Sequence, residues 1–309
     1  MKKFLLLTFL TSAITLTAQT DQRIYDIINA VSAERIEKDV TKLANFGTRH
    51  TLSDTVSTTR GIGAARRWIK GEFEKTSAEC KGCLNVFFQK DLIKKGSNDR
   101  IIKDVEVVNV LAIQKGTKYP NRYIIMSGDI DSRVSDPTNF TDDSPGANDN
   151  ASGMAGTLEA ARVLSKYTFE NSIIYMGLSG EEQGLFGGGG IAGVDGVVSN
   201  VDFRIFSEPV PPTETEEQRK ARRFYGGEVD GVSRQLARYV HKNVKQYMPE
   251  MNPMMIYRLD RFGRGGHHRP FNDAGFPGIR IMEAHENYTQ QHQDIRVEDG
   301  IAYGDVLEH

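Results

Sequence analysis

The sequence has little of what would place it in several large classes of protein. Among its 309 residues there are only two cysteines and one tryptophan. Two cysteines cannot build the disulfide framework of a small secreted miniprotein. Lysine and arginine (39) nearly cancel aspartate and glutamate (41), for a net charge of −2. That balance supplies neither the basic footprint of a nucleic-acid binder nor a polybasic membrane anchor. No apolar run, the amino-terminal one included, reaches the roughly 18 or more residues needed to cross a bilayer. No internal repeat is visible. A hydrophobic share of 39% with 26% charged residues excludes wholesale disorder. Glycine, by contrast, is plentiful at 30 residues, which points to tight turns and close backbone approaches.

The amino terminus reads as a secretory leader. Lys2 and Lys3 form a positive start, Phe4 to Leu16 is mostly apolar, and Ala18 suits the last residue before cleavage. The expectation is a signal peptide over residues 1–18 and one domain over 19–309, secreted or periplasmic, with no stable membrane anchor. Cys80 and Cys83 are spaced as Cys-Lys-Gly-Cys. In an oxidising compartment with no other thiol, that spacing favours a local disulfide over redox chemistry.

Apolar periodicity predicts helices over Ser32–Phe46, Thr58–Thr76, Met154–Tyr167 and Val232–Met248. Strands are predicted over Leu84–Ile93, Val105–Gln114, Tyr123–Asp131, Ser172–Leu178, Met254–Leu259 and Gly278–Met282. Strands alternating with helices predict an α/β fold of three layers, α/β/α, with a mixed, mostly parallel sheet. Residues 208–228, rich in proline and charge blocks, read as a surface loop or lid.

Acidic residues concentrate where apolar strands end. Asp129 and Asp131 close one strand, two residues apart and so on one face. Asp149 lies in the glycine-flanked loop Pro145-Gly-Ala-Asn-Asp-Asn-Ala-Ser-Gly153, and Glu181-Glu182 follows a third strand. Ligands of open α/β sheets bind at such carboxyl ends. Several carboxylates in one crevice repel unless a cation neutralises them. Of the seven histidines, His292, in a polar loop after the last strand, is the best candidate ligand. His241 reads as structural, His309 as part of a terminal tag, and His267 and His268 as neighbours of a substrate site.

In order, Gly128-Asp-Ile-Asp-Ser132, Pro145 to Gly153, Gly180-Glu-Glu-Gln-Gly-Leu185 and His292-Gln-Asp294 resemble the secreted zinc aminopeptidases of the M28 peptidase family, relatives of the glutaminyl cyclases. The resemblance implies two Zn2+ ions, peptide substrates with a free amino terminus, and a set of roles. Asp149 would bridge the metals, Glu182 would bind one of them, and His292 would be a ligand of the other. Glu181 would be the general base, and Asp131 the carboxylate behind the first ligand. His268 and Phe271 would lie near the substrate pocket. The sequence departs from the family in two places. Asp129 stands where the family usually has histidine. After Gly187–Gly190 an internal deletion removes the segment expected to carry another metal-binding aspartate, with Asp195 and Asp202 as possible substitutes. Three readings follow: a secreted zinc exopeptidase, a non-catalytic member of the fold, and a single-zinc enzyme of the glutaminyl-cyclase type.

Overall fold

The computed structural model describes residues 20–184, 201–210, 213–225, 231–261 and 265–307. The leader at 1–18, the glycines 187–190, Asp195 and His309 lie outside the described residues.

The chain begins with helices α1 (Gln22–Asn29), α2 (Ala33–Ala44) and α3 (Gly61–Glu79). Strands β1 (Leu84–Ile93), β2 (Val105–Gln114) and β3 (Tyr119–Asp129) follow, then α4 (Gly153–Leu164) and β4 (Asn171–Leu178). Next come β5 (Asp202–Ser207), α5 (Glu216–Tyr225), α6 (Val232–Tyr247), β6 (Asn252–Ile256), α7 (His268–Asp273), β7 (Ile279–Glu283) and the hairpin β8 (Arg296–Glu298) and β9 (Ile301–Tyr303). The first two strands have the bounds their alternating apolar residues predict. Helix α2 is capped as its sequence suggests, with the Ser32 side chain accepting the Arg35 N–H.

The mixed α/β architecture is the expected one. Its strands run in the order β1-β2-β4-β3 and, in a second sheet, β6-β5-β7. Among the described residues the pairs are mixed, without the expected parallel majority. Pairs β1–β2, β2–β4 and β5–β7 are antiparallel, whereas β3–β4 and β5–β6 are parallel. The reason lies in the connections. A loop without a helix joins β1 to β2, so they return antiparallel, while α4 carries the crossover that lets β3 and β4 run parallel.

One face of the first sheet buries the core. Ile62, Ile69 and Phe73 of α3 and Met154 and Leu158 of α4 meet Val110 of β2 and Tyr175 of β4, all fully buried. Each such side chain contributes about 1.5–3 kcal/mol. The Tyr175 hydroxyl donates to Gln114 Oε1 at 3.0 Å, so its burial leaves no unpaired polar group. Cys80 and Cys83 form a disulfide. The stretch read as a loop or lid contains α5, whose Glu/Lys/Arg-rich sequence supplies ample helix-forming residues. Among the described residues no helix is long and apolar enough to cross a membrane.

Candidate metal centre

Parallel pairing brings the acidic strand ends together. Asp129 of β3 lies opposite Leu178 of β4, and the Ile130 N–H donates to the Leu178 carbonyl at 2.7 Å. Asp129, Asp131 and Glu181-Glu182 therefore leave the same end of the sheet. Gly128 admits the loop that carries Asp149. A Cβ there would stand 2.4 Å from the Gly153 carbonyl carbon and the Met154 nitrogen. Only glycine lets the start of α4 press so closely on β3.

Buried arginine pins that loop from beneath. Arg49 donates to the carbonyls of Ile130 (2.7 Å), Leu43 (3.1 Å) and Gly146 (2.9 Å), and also reaches that of Pro145. Burial pushes its pKa down to about 10, which leaves it charged at neutral pH. Residues 147–152, expected as a loop, form a tight π-type turn, broken at Asp149 (φ −108°, ψ 94°).

Three side chains converge. His292 Nε2 lies 2.9 Å from Glu182 Oε1 and 3.0 Å from Asp149 Oδ2. Asp149, Glu182 and His292 each offer a ligand atom, all within 4.8 Å of one another, so His292 shares one ion's site with Glu182, which corrects the expectation that the two serve different metals. Two carboxylate oxygens and an imidazole nitrogen are a zinc donor set. Spacings near 3 Å suit ligands that each lie about 2.0–2.2 Å from one ion. Zinc therefore fits these residues. Gln291 donates to Asp149 Oδ2, and Arg133 joins the cluster from below. Its Nε donates to Glu182 Oε2 at 2.9 Å and its Nη2 to His292 Nδ1 at 2.7 Å. Burial alone would raise Glu182, but His292 and Arg133 outweigh it and hold that carboxyl below its usual value.

Asp131 sits behind the glutamate pair. It accepts the Thr51 hydroxyl at 2.8 Å and the backbone N–H groups of Glu182 (3.1 Å) and Glu181 (3.3 Å). Burial, then the charges of Glu182 and Asp129, push its pKa up to about 7. Glu181 is buried as well. Burial and the surrounding carboxylates, Glu182 first, raise its proton affinity well above the usual carboxylate range.

Asp129 does not join the three-residue cluster. Strand β3 ends at Asp129, so the alternation that would aim Asp129 and Asp131 at one place stops there. Asp129 instead contacts His267 Nδ1, and its Oδ2 accepts from Asn150 Nδ2 at 3.3 Å. Asp202, offered as a substitute ligand, is corrected. It lies in β5, where its carboxylate accepts from Asn252 Nδ2 at 2.8 Å and stands 3.8 Å from His285 Nε2. His268 faces inward and donates from Nε2 to the Leu259 carbonyl at 2.7 Å. Arg133, Gln291, Arg49 and Asp305 were not singled out from the sequence. Arg133 directly follows the motif that ends at Ser132, and Gln291 directly precedes His292, so adjacency was the one local signal.

A mixed α/β fold with two carboxylates and a histidine gathered beyond the end of a sheet is the arrangement of a candidate metal centre. The Peptidase family M28 model matches residues 109–302, and the chain belongs to that family of peptide-bond hydrolases. A "Probable zinc metalloprotease" from Pyrenophora tritici-repentis is 36% identical over 311 residues, covering 93% of this chain and 72% of that protein. Another, from Pyrenophora teres f. teres, is 42% identical over 313 residues, covering 93% and 64%. The chain thus spans about two thirds of the length of these relatives. The 311 aligned positions exceed the whole 309-residue chain although only 93% of it is aligned, so the relative has residues that this chain lacks. Among solved structures, LapB from Legionella pneumophila superposes with a TM-score of 0.60 at 15% identity, over 88% of this chain and 67% of that one. BSAP, a zinc aminopeptidase from Bacillus subtilis, gives 0.58 at 12% identity, over 85% and 89%. At such identities these likenesses establish the fold.

Proposed function

We propose that the protein is a secreted zinc-dependent exopeptidase of aminopeptidase type. The convergence of Asp149, Glu182 and His292 carries this reading, with Glu181 buried beside them. Asp149, Glu182 and His292 would hold zinc, which when bound would supply Lewis-acid polarisation of the scissile carbonyl and would lower the pKa of a water towards about 7. Glu181 takes the proton of the attacking water and returns it to the leaving amine. Asp131 fixes the backbone of the glutamate pair. A cavity of about 110 Å3 beside Asp149 is also lined by Asn148, Asn150, Arg280, Glu283 and Gln291. Glu283 offers a carboxylate to the terminal ammonium of a peptide.

The test is release of amino acids from peptides with free and with acetylated amino termini, by the zinc-loaded mature chain. Turnover of the free peptides alone supports the reading, and equal turnover of both overturns the aminopeptidase part. Zinc binding that survives His292→Ala unchanged overturns the metal centre. Secretion is tested by amino-terminal sequencing of protein recovered outside the cell. A chain retained with Met1 intact overturns it.

A further inference from the structure

A cavity of about 580 Å3 opens between the first half of α3, the strands β1 and β2 and the loop that precedes α3. Small-molecule sites typically run from about 300 to about 1,000 Å3. Arg66 of α3 lines this one and is only 5% exposed. Its Nε and Nη2 have no hydrogen-bond partner. Arginine is almost never so buried unless paired. Arg49, buried as deeply, spends its donors on four carbonyls. Burial brings the Arg66 pKa down to about 10, so the guanidinium stays charged at neutral pH. The carboxylates of Asp131 and Glu106 favour that charge from a distance, but neither bonds to it. The other charges on the cavity wall do not neutralise it. Lys90 pairs with Glu106, and Asp104 with Lys94. Arg67 donates to the carbonyls of Thr55 and Val56, and Lys103 lies 3.9 Å from the centre of the Phe140 ring. Among the described residues, no carboxylate pairs with Arg66, Arg67 or Lys103.

We propose that this cavity binds a small organic acid, its carboxylate gripped by Nε and Nη2 of Arg66 and its apolar body laid against Leu52, Phe88 and Val105. Nε–H and one Nη2–H share an edge of the guanidinium, the fork that takes a carboxylate in two parallel bonds. Water would satisfy those donors but leave a buried charge without an anion. The apolar part of the wall favours a carbon skeleton over inorganic phosphate. Arg67 and Lys103, both exposed, draw anions towards the opening. The one bond of Arg66, from Nη1 to the Glu106 carbonyl, is long at 3.4 Å, so little opposes a turn of the fork into the cavity. Thr51, on the wall, donates to Asp131, so the cavity adjoins the metal centre, yet none of Asp149, Glu182 and His292 lines it. The site needs no metal ion.

The experiment is calorimetric titration of the full mature chain with phenylacetate, zinc-loaded and after chelation, with circular dichroism to confirm folding. The wild type should bind one molecule in both states. Phenylacetamide, similar in shape but uncharged, should not bind, and inorganic phosphate should bind at least about tenfold more weakly. Arg66→Met should weaken phenylacetate binding at least about tenfold, the worth of a charged hydrogen-bonded pair. Methionine brings no unpaired charge into the interior, so the variant should fold. Arg66→Lys keeps the charge without the fork and should also bind at least about tenfold more weakly. Should Arg66→Met fail to fold, Arg66→Lys decides. Undiminished binding in the folded variant overturns the site. Binding that vanishes on chelation puts the carboxylate on the metal and overturns it too. Phosphate or the amide binding as tightly as phenylacetate overturns the organic-acid assignment. No binding of phenylacetate by the wild type at millimolar concentration overturns the proposal and leaves water as the partner of Arg66.

Discussion

Asp305 holds the loop of Asp149 by its backbone: Oδ2 accepts the Asp149 N–H and Oδ1 the Asn148 N–H, both at 2.7 Å. Burial pushes Asp305 up to about 6, against the help of those two amides and of the Arg49 charge. A residue near the end of the chain therefore sets the position of a metal-site carboxylate 156 residues earlier. Asp305→Ala leaves two buried amides unpaired, at about 1–3 kcal/mol each. Zinc affinity should fall about 10–100-fold, as is typical when a ligand loses its supporting partner. Asp305→Asn keeps one acceptor and should lie between. Calorimetric zinc binding and thermal melts check both variants.

Glu181→Gln preserves shape and removes the proton acceptor. Turnover should drop at least about a hundredfold, the usual worth of a general base. Zinc content should not change, since Glu181 lies outside the Asp149, Glu182 and His292 group. Steady-state kinetics with metal analysis on the same sample tests this. Full activity in a metal-loaded variant assigns the base elsewhere.

Local pattern made part of this molecule legible in the sequence. The strands Leu84–Ile93 and Val105–Gln114 alternate β-branched and aromatic residues with polar ones, and form with those bounds. Strand β5 was missed because Asp202-Phe-Arg-Ile-Phe-Ser207 is short and interrupted by Arg204. Asp149 and Glu182 could be picked out because one precedes a helix and the other follows a strand, and His292 because it lies in a polar loop after the last predicted strand. Their supports could not be. Arg133 meets His292 across 159 positions, and Gln291 meets Asp149 across 142. No local spacing encodes such pairs. Likewise, nothing around His267 in the chain shows that Asp129 is its neighbour.

Arg133 is the cation that Glu182 and His292 meet in the absence of metal. Holding zinc through His292 Nε2 leaves Nδ1 to carry the proton, so Arg133 must then release Nδ1 and keep only Glu182. Arg133→Met should destabilise the metal-free protein by about 1–3 kcal/mol, because a buried carboxylate loses a charged partner. It also removes a positive charge that competes with the ion. The rise in melting temperature on adding zinc should therefore be larger in the variant than in the wild type. An equal or smaller rise would mean that Arg133 helps to hold the ion.

His50 gives a pH dependence of stability with a definite sign. It is buried, accepts the Leu52 N–H at Nδ1 (3.0 Å) and directs Nε2 at the Pro137 carbonyl (3.0 Å). Burial, with Arg133 and Lys103 nearby, pushes its pKa down from 6.5 to about 4. Unfolded chains thus bind a proton that the folded protein refuses between these two values. The stability this residue contributes is full above about pH 6.5 and is lost as pH falls towards about 4. Asp131 and Asp305, raised to about 7 and about 6, act in the opposite sense, and their share of stability is lost as pH rises. Those carboxyls are common to the wild type and to His50→Asn, so the difference between the two proteins isolates the histidine. In zinc-free urea titrations the wild type should lose stability relative to the variant as pH falls through the window. The relative slope should approach one proton, about 1.4 kcal/mol per pH unit, near its middle. Parallel pH profiles would mean that His50 titrates alike in the folded and unfolded chains.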